Sequence, residues 1–315
     1  MPPTEHPIHS SEDLQQIVDD VYARAARDLG KGKVATYIPA LARVPIERFG
    51  MAVATNDGYF ASAGDAATPF AIQSVSKVFV LMLAMRLRGA SLWNRVGREP
   101  SGNPFNSLVQ LEYEKGIPRN PLINAGAHIA TDCVTAGHAD PKQTILDEMR
   151  RLAGNDAIDF DPEVAASERA TGHRNAAIAN FLKANGNLES AVDDMLDVYF
   201  HQCSIAMTCE DLARAAGFLA NRGVDPRTGV RIATERKARR INALMATCGL
   251  YDAVGSFAFH VGIPAKSGVG GGMMAVVPGD MAIAVWSPGL DRQGNSYVGV
   301  RALEIFVNAI GRSVF

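Results

Sequence analysis

The sequence predicts an α+β fold, in which one antiparallel sheet is flanked by helices and carries an all-helical subdomain. Strand hairpins occur near both ends of the chain, over residues 49–63 and 273–286. Between about residues 90 and 248, apolar side chains recur at helical spacing and no strand pattern competes with them. Because the two hairpin regions flank the helical block, they are expected to join in one sheet.

This pattern suggests two subdomains in one folded unit. Residues 1–90 and 249–315 are expected to form the sheet subdomain, and residues 91–248 the helical subdomain. Small-molecule sites prefer clefts between such layers. The functional site is therefore expected in the cleft between the two subdomains.

The N-terminal part should contain a helix, a hairpin and a second helix. Ser10 is a favourable helix N-cap, and Asn56-Asp57-Gly58 is a turn sequence typical of hairpins. The second helix should end at Gly89, which follows Arg86 and Arg88 in the last turn. The expected bounds are a helix over about 10–29, strands over 49–54 and 59–63, and a helix over 74–88.

The rest of the chain is mainly helical before it returns to strands. Residues 93–119 are rich in glycine, proline and asparagine and show no clean period. Pro278-Gly279-Asp280 predicts a turn in the C-terminal hairpin. The expected helices cover about 129–134, 141–153, 174–184, 188–202, 208–221 and 233–247. The expected C-terminal elements are a strand over 257–261, strands over 273–277 and 281–286, and a helix over 296–310.

Composition excludes several classes of function. The chain has 315 residues and a net charge of −2, so no basic excess suggests nucleic acid or a membrane surface. The N-terminal residues 1–7 are polar and proline-rich, unlike a signal peptide. The four cysteines and seven histidines show no metal-ligand spacing. We expect a cytoplasmic protein with reduced thiols, no metal and no cofactor.

Ser74 and Lys77 are the first candidate catalytic pair. They lie three residues apart, so a helix places them on one face. The run that follows is almost wholly apolar, which suggests a buried helix and a lysine that loses its proton easily. A serine beside a neutral lysine at a helix N-terminus has a base and partial positive charge nearby. Serine is also an ordinary N-cap and lysine an ordinary first-turn residue, so this spacing alone leaves both interpretations open.

The triplet Lys266-Ser267-Gly268 opens a glycine-rich run between strands. A phosphate loop would need a different spacing, and glycines can also simply relieve a strand edge. Serine acyl-transfer enzymes with an S-x-x-K helix carry a K-[ST]-G triplet on a facing strand. The S-D-N element of β-lactamases and penicillin-binding proteins is absent from the sequence, which argues against those activities.

A series of local motifs resembles the serine-dependent glutaminases of bacterial and mitochondrial type. The resemblance extends from about residue 37 to 287 and implies a β-lactamase/transpeptidase-like fold. Ala40 and His173 depart from the family pattern at positions that do not bind substrate. The motifs are Tyr37-Ile38-Pro39-Ala40-Leu41, Gln73-Ser74-Val75-Ser76-Lys77, Asn120-Pro121-Leu122-Ile123-Asn124-Ala125-Gly126, Ser167-Glu168 with Arg174-Asn175, Tyr199-Phe200-His201-Gln202-Cys203-Ser204-Ile205, Cys248-Gly249-Leu250-Tyr251-Asp252 and Pro264-Ala265-Lys266-Ser267-Gly268-Val269.

The resemblance implies a role for each matched residue. Ser74 would be the nucleophile, Lys77 its base, and Tyr251 a proton-shuttling hydroxyl. The N–H groups of Ser74 and Val269 would form the oxyanion hole. The implied substrate-binding residues are Tyr37, Gln73, Ser74, Asn124, Glu168, Asn175, Tyr199, Tyr251 and Val269. A buried carboxylate such as Glu168 suits the α-ammonium of glutamine and disfavours substrates that lack it.

The expected function is hydrolysis of L-glutamine to L-glutamate and ammonia through a Ser74 glutamyl-enzyme. One alternative is a penicillin-recognising serine hydrolase or peptidase on the same scaffold. Another is a non-catalytic amino-acid-binding or interaction protein in which Ser74 and Lys77 are structural. The family resemblance also implies a homo-oligomer, either a dimer or a tetramer.

Overall fold

A five-stranded antiparallel sheet joins the two ends of the chain, as the hairpins predict. In this computed structural model, which describes residues 8–102, 104 and 106–315, the strand order is β2-β1-β8-β7-β6. Residues 1–7, for which the sequence predicts the absence of a signal peptide, lie outside the described residues. The strands are β1 (Gly50–Thr55), β2 (Phe60–Gly64), β6 (Ala265–Ser267), β7 (Gly272–Val277) and β8 (Met281–Trp286).

The central strands bury both faces of this sheet. Residues alternate between the two faces along each strand. Met51 and Val53 pack in one core with Val285, whereas Ala52 and Ala284 belong to the other. The first core contains α1 (Ser11–Ala25) and α12 (Tyr297–Ile310), and α9 (Cys209–Ala220) contacts β1, β7 and β8.

Helices α1 and α12 of the first core each begin at a serine cap, of which the sequence predicts Ser10. The Ser10 hydroxyl accepts from the Asp13 N–H at 3.1 Å, and the Ser296 hydroxyl accepts from the Gly299 N–H at 3.1 Å. Each cap satisfies an N–H group that has no partner inside its helix. The two helices pack in the core that contains Met51, Val53 and Val285.

The middle of the chain is largely helical and includes a small second sheet in the order β3-β5-β4. Helix α2 (Ser76–Arg88) is buried over its first ten residues, from Ser76 to Met85. The other elements are β3 (Phe70–Ala71), α3 (Val109–Tyr113), α4 (Asn124–Gly137), α5 (Pro141–Ala153), β4 (Asp159–Phe160), α6 (Pro162–Thr171), α7 (His173–Ala184), α8 (Val192–Cys203), β5 (Ile205–Met207), α10 (Glu235–Cys248) and α11 (Val254–His260).

Several sequence predictions are wrong in detail. The strand expected over 257–261 is part of helix α11. Phe257, Phe259 and Val261 imitate a strand alternation, but Phe259 is 85% exposed, whereas Phe257 and Val261 join the core four residues apart. The block over 90–248 does contain strands, β4 and β5, and it contains two helices that the sequence did not predict, α3 and α6. The boundaries of the two subdomains stay a prediction.

No helix among the described residues is long and apolar enough to cross a membrane.

Candidate active site

Ser74 lies in a tight 3-10 turn, Gln73–Val75, that leads directly into α2. Gln73 has a φ of 49°, in the left-handed region, which is costly for a residue with a side chain. The Val75 N–H donates to the Ile72 carbonyl at 3.0 Å, and the Ser76 hydroxyl donates to the Gln73 carbonyl at 2.7 Å. These bonds hold the strained turn, a feature that clusters at functional sites.

The Lys77 amine lies one helical turn beyond Ser74 and is buried. Its Nζ donates to Asn124 Oδ1 at 2.6 Å. Burial lowers the pKa of Lys77 to about 8, although Cys203 and Glu168 act in the opposite direction. A lysine with this pKa is partly neutral near physiological pH and can accept a proton.

Strand β6 and the turn after it press against the segment that leads to Ser74. A Cβ added at Gly268 would lie 2.8 Å from the Ile72 carbonyl oxygen and 3.2 Å from the Ser74 nitrogen. A Cβ at Gly270 would lie 2.7 Å from the Ala71 carbonyl oxygen. Both positions therefore need glycine, because the two backbones approach more closely than a side chain permits. Val269, between them, lines the same cavity as Ser74.

A cavity of about 100 Å³ opens above Ser74. Eight of the ten predicted site residues line it; Lys77 and Tyr251 are not in its wall. Lys77 donates to Asn124 and Tyr251 hydrogen-bonds with Ser74, so each of the two contacts a residue that lines the cavity. The lining residues are Tyr37, Ile38, Gln73, Ser74, Asn106, Asn124, Glu168, Thr171, Gly172, Arg174, Asn175, Tyr199, Cys203 and Val269.

Glu168 supplies the buried carboxyl of this cavity. Helix α6 carries it and is capped by Asp161, whose carboxylate accepts from the Glu163 and Val164 N–H groups. Burial raises the pKa of Glu168 to about 7, while Gln73 and Lys77 act to lower it. Gln73 Nε2 makes no hydrogen bond of regular geometry within the described residues, but the Gln73 side chain lies close enough to Glu168 to lower its pKa. The carboxyl is therefore poised to ionise when a cation binds beside it.

The amides of Asn124 and Asn175 form a second polar wall. Asn124 Nδ2 donates to Asn175 Oδ1 at 2.9 Å. Asn124 is the first residue of α4, where helix N–H groups add partial positive charge. Arg174, beside Asn175, also lines the cavity. This wall therefore suits an anionic group of a ligand.

Two tyrosines, Tyr37 and Tyr199, line the cavity, and a third, Tyr251, hydrogen-bonds with Ser74 outside its wall. Burial raises the pKa of Tyr251 to about 12, and hydrogen bonds with Ser74 and Ser267 act to lower it. Tyr199 is buried, and its ring lies edge-on to His128 at 4.5 Å between centroids. Tyr37 is 56% exposed as a whole residue, but burial of its phenol end raises its pKa. All three hydroxyls are therefore protonated and can donate near neutral pH.

Sequence reasoning did not single out Cys203 or Arg174 as cavity residues. Cys203 follows Tyr199 by four residues on α8, so helical spacing could have placed both on one face. Burial raises the pKa of the Cys203 thiol, which keeps it protonated. Within the described residues no group of three or more His, Cys, Asp and Glu side chains could hold a metal ion.

Comparisons with known proteins find relatives both in sequence and in structure. The family model described as "Glutaminase" matches residues 32–315. A glutaminase of Agrobacterium fabrum (strain C58 / ATCC 33970) is 56% identical over 307 residues, covering 96% of this chain and 99% of that protein. The structure described as "Probable glutaminase ybaS" superposes with a TM-score of 0.92 at 40% identity, covering 96% of this chain and 98% of its own.

A third comparison concerns a structure with a ligand in its description. The structure of Mglu "in its glutamate form" superposes with a TM-score of 0.88 at 36% identity, covering 99% of this chain and 70% of that chain. These superpositions confirm the α+β, β-lactamase-like fold that the sequence resemblance implies.

Proposed function

The chain belongs to the glutaminase family, and from that premise we propose how it hydrolyses L-glutamine to L-glutamate and ammonia. It is a C–N hydrolase acting on a linear amide. Ser74 would attack the side-chain amide and carry the glutamyl group as an ester. Neither a cofactor nor a metal takes part in this proposal.

The observation that supports it most strongly is the pairing of a buried lysine and a buried carboxyl around one serine. Lys77, with a pKa lowered to about 8, donates to Asn124 of the cavity wall, and Glu168, with a pKa raised to about 7, lines the cavity. Perturbed groups of this kind cluster at catalytic sites. A non-catalytic binding protein would have no need for a neutral lysine beside a serine.

Acylation needs a base and an oxyanion site. Neutral Lys77 takes the Ser74 proton as the hydroxyl oxygen attacks the amide carbon. The N–H groups of Ser74 and Val269 would hold the oxyanion, and such a donor contributes about 3 kcal/mol in other enzymes. The C–N bond then breaks as Lys77 or Tyr251 passes a proton to the nitrogen, and ammonia leaves.

Deacylation reverses these roles. Water attacks the glutamyl ester carbon, gives its proton to the base, and the C–O bond to Ser74 breaks. The serine oxygen recovers a proton and glutamate is released. The same oxyanion site would serve both halves because the two tetrahedral intermediates place their oxygen at the same point.

The cavity walls suit the two ends of an amino acid. Glu168 would pair with the α-ammonium, with Gln73 and Tyr37 beside it. Asn124, Asn175 and Tyr199 would donate to the α-carboxylate, which the description of a related structure in a glutamate form supports. An analogue without the amine would leave Glu168 unpaired and should bind poorly.

The deciding experiment compares ammonia release by the wild-type protein, Ser74→Ala and Ser204→Ala. Ser204 is a matched control because it is buried and its hydroxyl donates to the His201 carbonyl at 2.8 Å, outside the cavity. We expect activity on glutamine but little on asparagine, loss of at least about 10³-fold in Ser74→Ala, and retention in Ser204→Ala. Intact activity in Ser74→Ala would overturn the serine mechanism.

The same assay tests the alternatives. Turnover of a chromogenic cephalosporin without turnover of glutamine would favour a penicillin-recognising hydrolase. Glutamine binding without ammonia release would favour an amino-acid-binding protein. The family relationship disfavours both outcomes.

Location in the cytoplasm and a homo-oligomeric state, either a dimer or a homotetramer, are further parts of the proposal. The cysteines Cys133, Cys203, Cys209 and Cys248 are all free and buried, which suits a reducing compartment. Val109 and Tyr113 lie four residues apart on α3 and are 64% and 84% exposed, which suits a subunit contact. Light scattering of the wild-type protein and of Tyr113→Glu would test the assembly, and cell fractionation the location.

A further inference from the structure

Lys266 is a second buried lysine near Ser74, and the proposed chemistry gives it no role. It is 0% exposed and is absent from the wall of the cavity. Its Nζ therefore cannot anchor a substrate group in that cavity. No ion pair of Lys266 occurs among the described residues.

The Lys266 amine instead binds the backbone on both sides of Tyr251. Nζ donates to the Gly249 carbonyl at 3.0 Å and to the Ser267 carbonyl at 2.5 Å, and it lies 4.4 Å from the centre of the Tyr251 ring. Burial, and then Lys77, lower the pKa of Lys266. A neutral amine still has two N–H groups, one for each carbonyl.

The backbone that carries Tyr251 needs such support. Tyr251 has a φ of 54°, which is strained for a residue with a side chain. The Gly249 carbonyl, two residues earlier, also accepts from the Ser267 N–H at 3.4 Å. The Gly249 carbonyl therefore accepts from both the Lys266 amine and the Ser267 N–H of strand β6. Together the two bonds connect the strained turn to this strand.

The Ser267 carbonyl also decides where the Tyr251 hydroxyl points. The Tyr251 hydroxyl donates to this oxygen at 3.3 Å, and Lys266 Nζ donates to the same oxygen at 2.5 Å. The lysine is the closer donor to this oxygen, so the phenol competes for it only through its longer bond while it also hydrogen-bonds with Ser74. Without the amine, a buried carbonyl would lose its best donor and draw the phenol proton toward itself.

We infer that Lys266 is a positioning residue that acts through Tyr251. It occupies the Ser267 carbonyl and supports the Tyr251 ring, which leaves the phenol proton available to Ser74 and to the departing ammonia. The inference rests on the proposed function, because it assigns the proton relay to Tyr251. It differs from substrate anchoring because Lys266 lies behind the tyrosine and outside the cavity.

A double-mutant cycle with Lys266→Met and Tyr251→Phe tests this inference. Methionine matches the length of lysine without its N–H groups. Because proton transfer by a positioned side chain contributes about 10²–10⁴-fold, we expect Lys266→Met to lower kcat by about 10- to 100-fold with KM changed less than about threefold. In the Tyr251→Phe background, Lys266→Met should lower kcat by less than about threefold, because its effect passes through the missing hydroxyl.

Two further variants separate positioning from folding. Met274 pairs with Lys266 across strands β6 and β7, so Met274→Leu disturbs the same packing without touching the amine. It should retain wild-type kcat. Lys266→Gln keeps N–H donors on a shorter side chain and should recover part of the kcat that Lys266→Met loses, which also provides a test if the methionine variant does not fold.

The outcomes are distinct. Equal losses from Lys266→Met in the wild-type and Tyr251→Phe backgrounds would overturn the inference, as would a Lys266→Gln variant no better than a folded Lys266→Met. A rise in KM without a fall in kcat would also overturn it and point to substrate binding. Failure of the proposed function would show independently, as intact ammonia release in Ser74→Ala.

Discussion

Lys77 Nζ donates to Asn124 Oδ1 at 2.6 Å, and the Nδ2 of the same Asn124 donates to Asn175 Oδ1 at 2.9 Å. One amide thus connects the proposed base to the wall proposed for the substrate carboxylate. Because its oxygen is neutral, the amide can accept from Lys77 without strongly favouring the charged ammonium. The base can therefore remain close to neutrality while its direction is fixed.

Asn124→Asp should impair the base. A carboxylate against Lys77 favours the ammonium form and raises its pKa. The rise of kcat with pH should therefore move to higher pH by about one unit or more, and KM should increase because the substrate carboxylate meets a negative charge. The measurement is kcat and KM from pH 6 to 10. Asn180→Asp, at an exposed position on α7, is the control and should show the wild-type profile. An unshifted kcat profile in Asn124→Asp would contradict the proposed contact.

The wild-type pH profiles should separate Lys77 from Glu168. Lys77 must be neutral, so kcat should rise with pH and level off above about 8. Glu168 must be charged to bind the ammonium, so kcat/KM should fall further below about pH 7. In the enzyme–substrate complex the substrate ammonium keeps Glu168 charged. The pH profile of kcat should therefore lack the additional fall below about pH 7 that kcat/KM shows.

Glu168→Gln provides the control for that profile. The variant should bind glutamine weakly. Its kcat/KM should no longer depend on an ionisation near pH 7, while the ionisation near pH 8 should remain. A flat kcat between about pH 6 and 9 in the wild type would argue against a lysine base. A limb near pH 7 that persists in Glu168→Gln would assign that ionisation to another group.

The sequence predicts best those features that are determined by residues close together along the chain. The hairpins are predicted because Asn56-Asp57-Gly58 and Pro278-Gly279-Asp280 favour turns within a few residues. The helical spacing of Ser74 and Lys77 likewise places both on one turn. Helix α6, which carries Glu168, escapes detection because it buries only Val164, Ala165 and Glu168. Its Asp161-Pro162 start was the available signal.

Long-range approaches could not be predicted from the pattern alone. The run Gly268 to Gly272 is compatible with a strand edge, and only the folded chain brings Gly268 against the Ser74 backbone. The tie between Lys266 and the Tyr251 turn likewise joins segments that meet only in the fold. Helix α11 forms because Phe257 and Val261, four residues apart, pack into the core. A short alternating run does not indicate which of its side chains will be buried.

Gly268→Ala should reduce kcat more than it raises KM. The added Cβ would lie 2.8 Å from the Ile72 carbonyl oxygen, so β6 must move away from the Ser74 turn. Val269 moves with it, and a misplaced oxyanion donor costs about 10²–10³-fold in kcat. Steady-state kinetics on glutamine measure this effect. Gly255→Ala is the control, because a Cβ there meets nothing within 4 Å. Equal kinetics in both variants would contradict the proposed role of this approach.

Lys77→Met should abolish activity and also change how stability depends on pH. The pKa of Lys77 falls from the model-compound value of 10.5 to about 8 on folding, mainly through burial. This shift costs the folded state on the order of 3 kcal/mol wherever both states carry the proton, which is below about pH 8. The cost decreases as pH rises and disappears above about 10.5, where the unfolded lysine is also neutral.

We therefore compare the free energy of unfolding of Lys77→Met with that of the wild type at each pH. The difference, variant minus wild type, should be more positive at pH 7 than at pH 10.5 by about 3 kcal/mol. The Asn124 oxygen loses its donor in the variant, but that cost is the same at both pH values and cancels in the comparison. Urea unfolding at a series of pH values measures the difference, with Met82→Leu in the same helix as a control that adds or removes no titrating group. If the difference between the two free energies of unfolding stays constant between pH 7 and 10.5, folding does not lower the pKa of Lys77. Lys77 would then be charged near neutral pH and could not act as the base that the acylation of Ser74 requires.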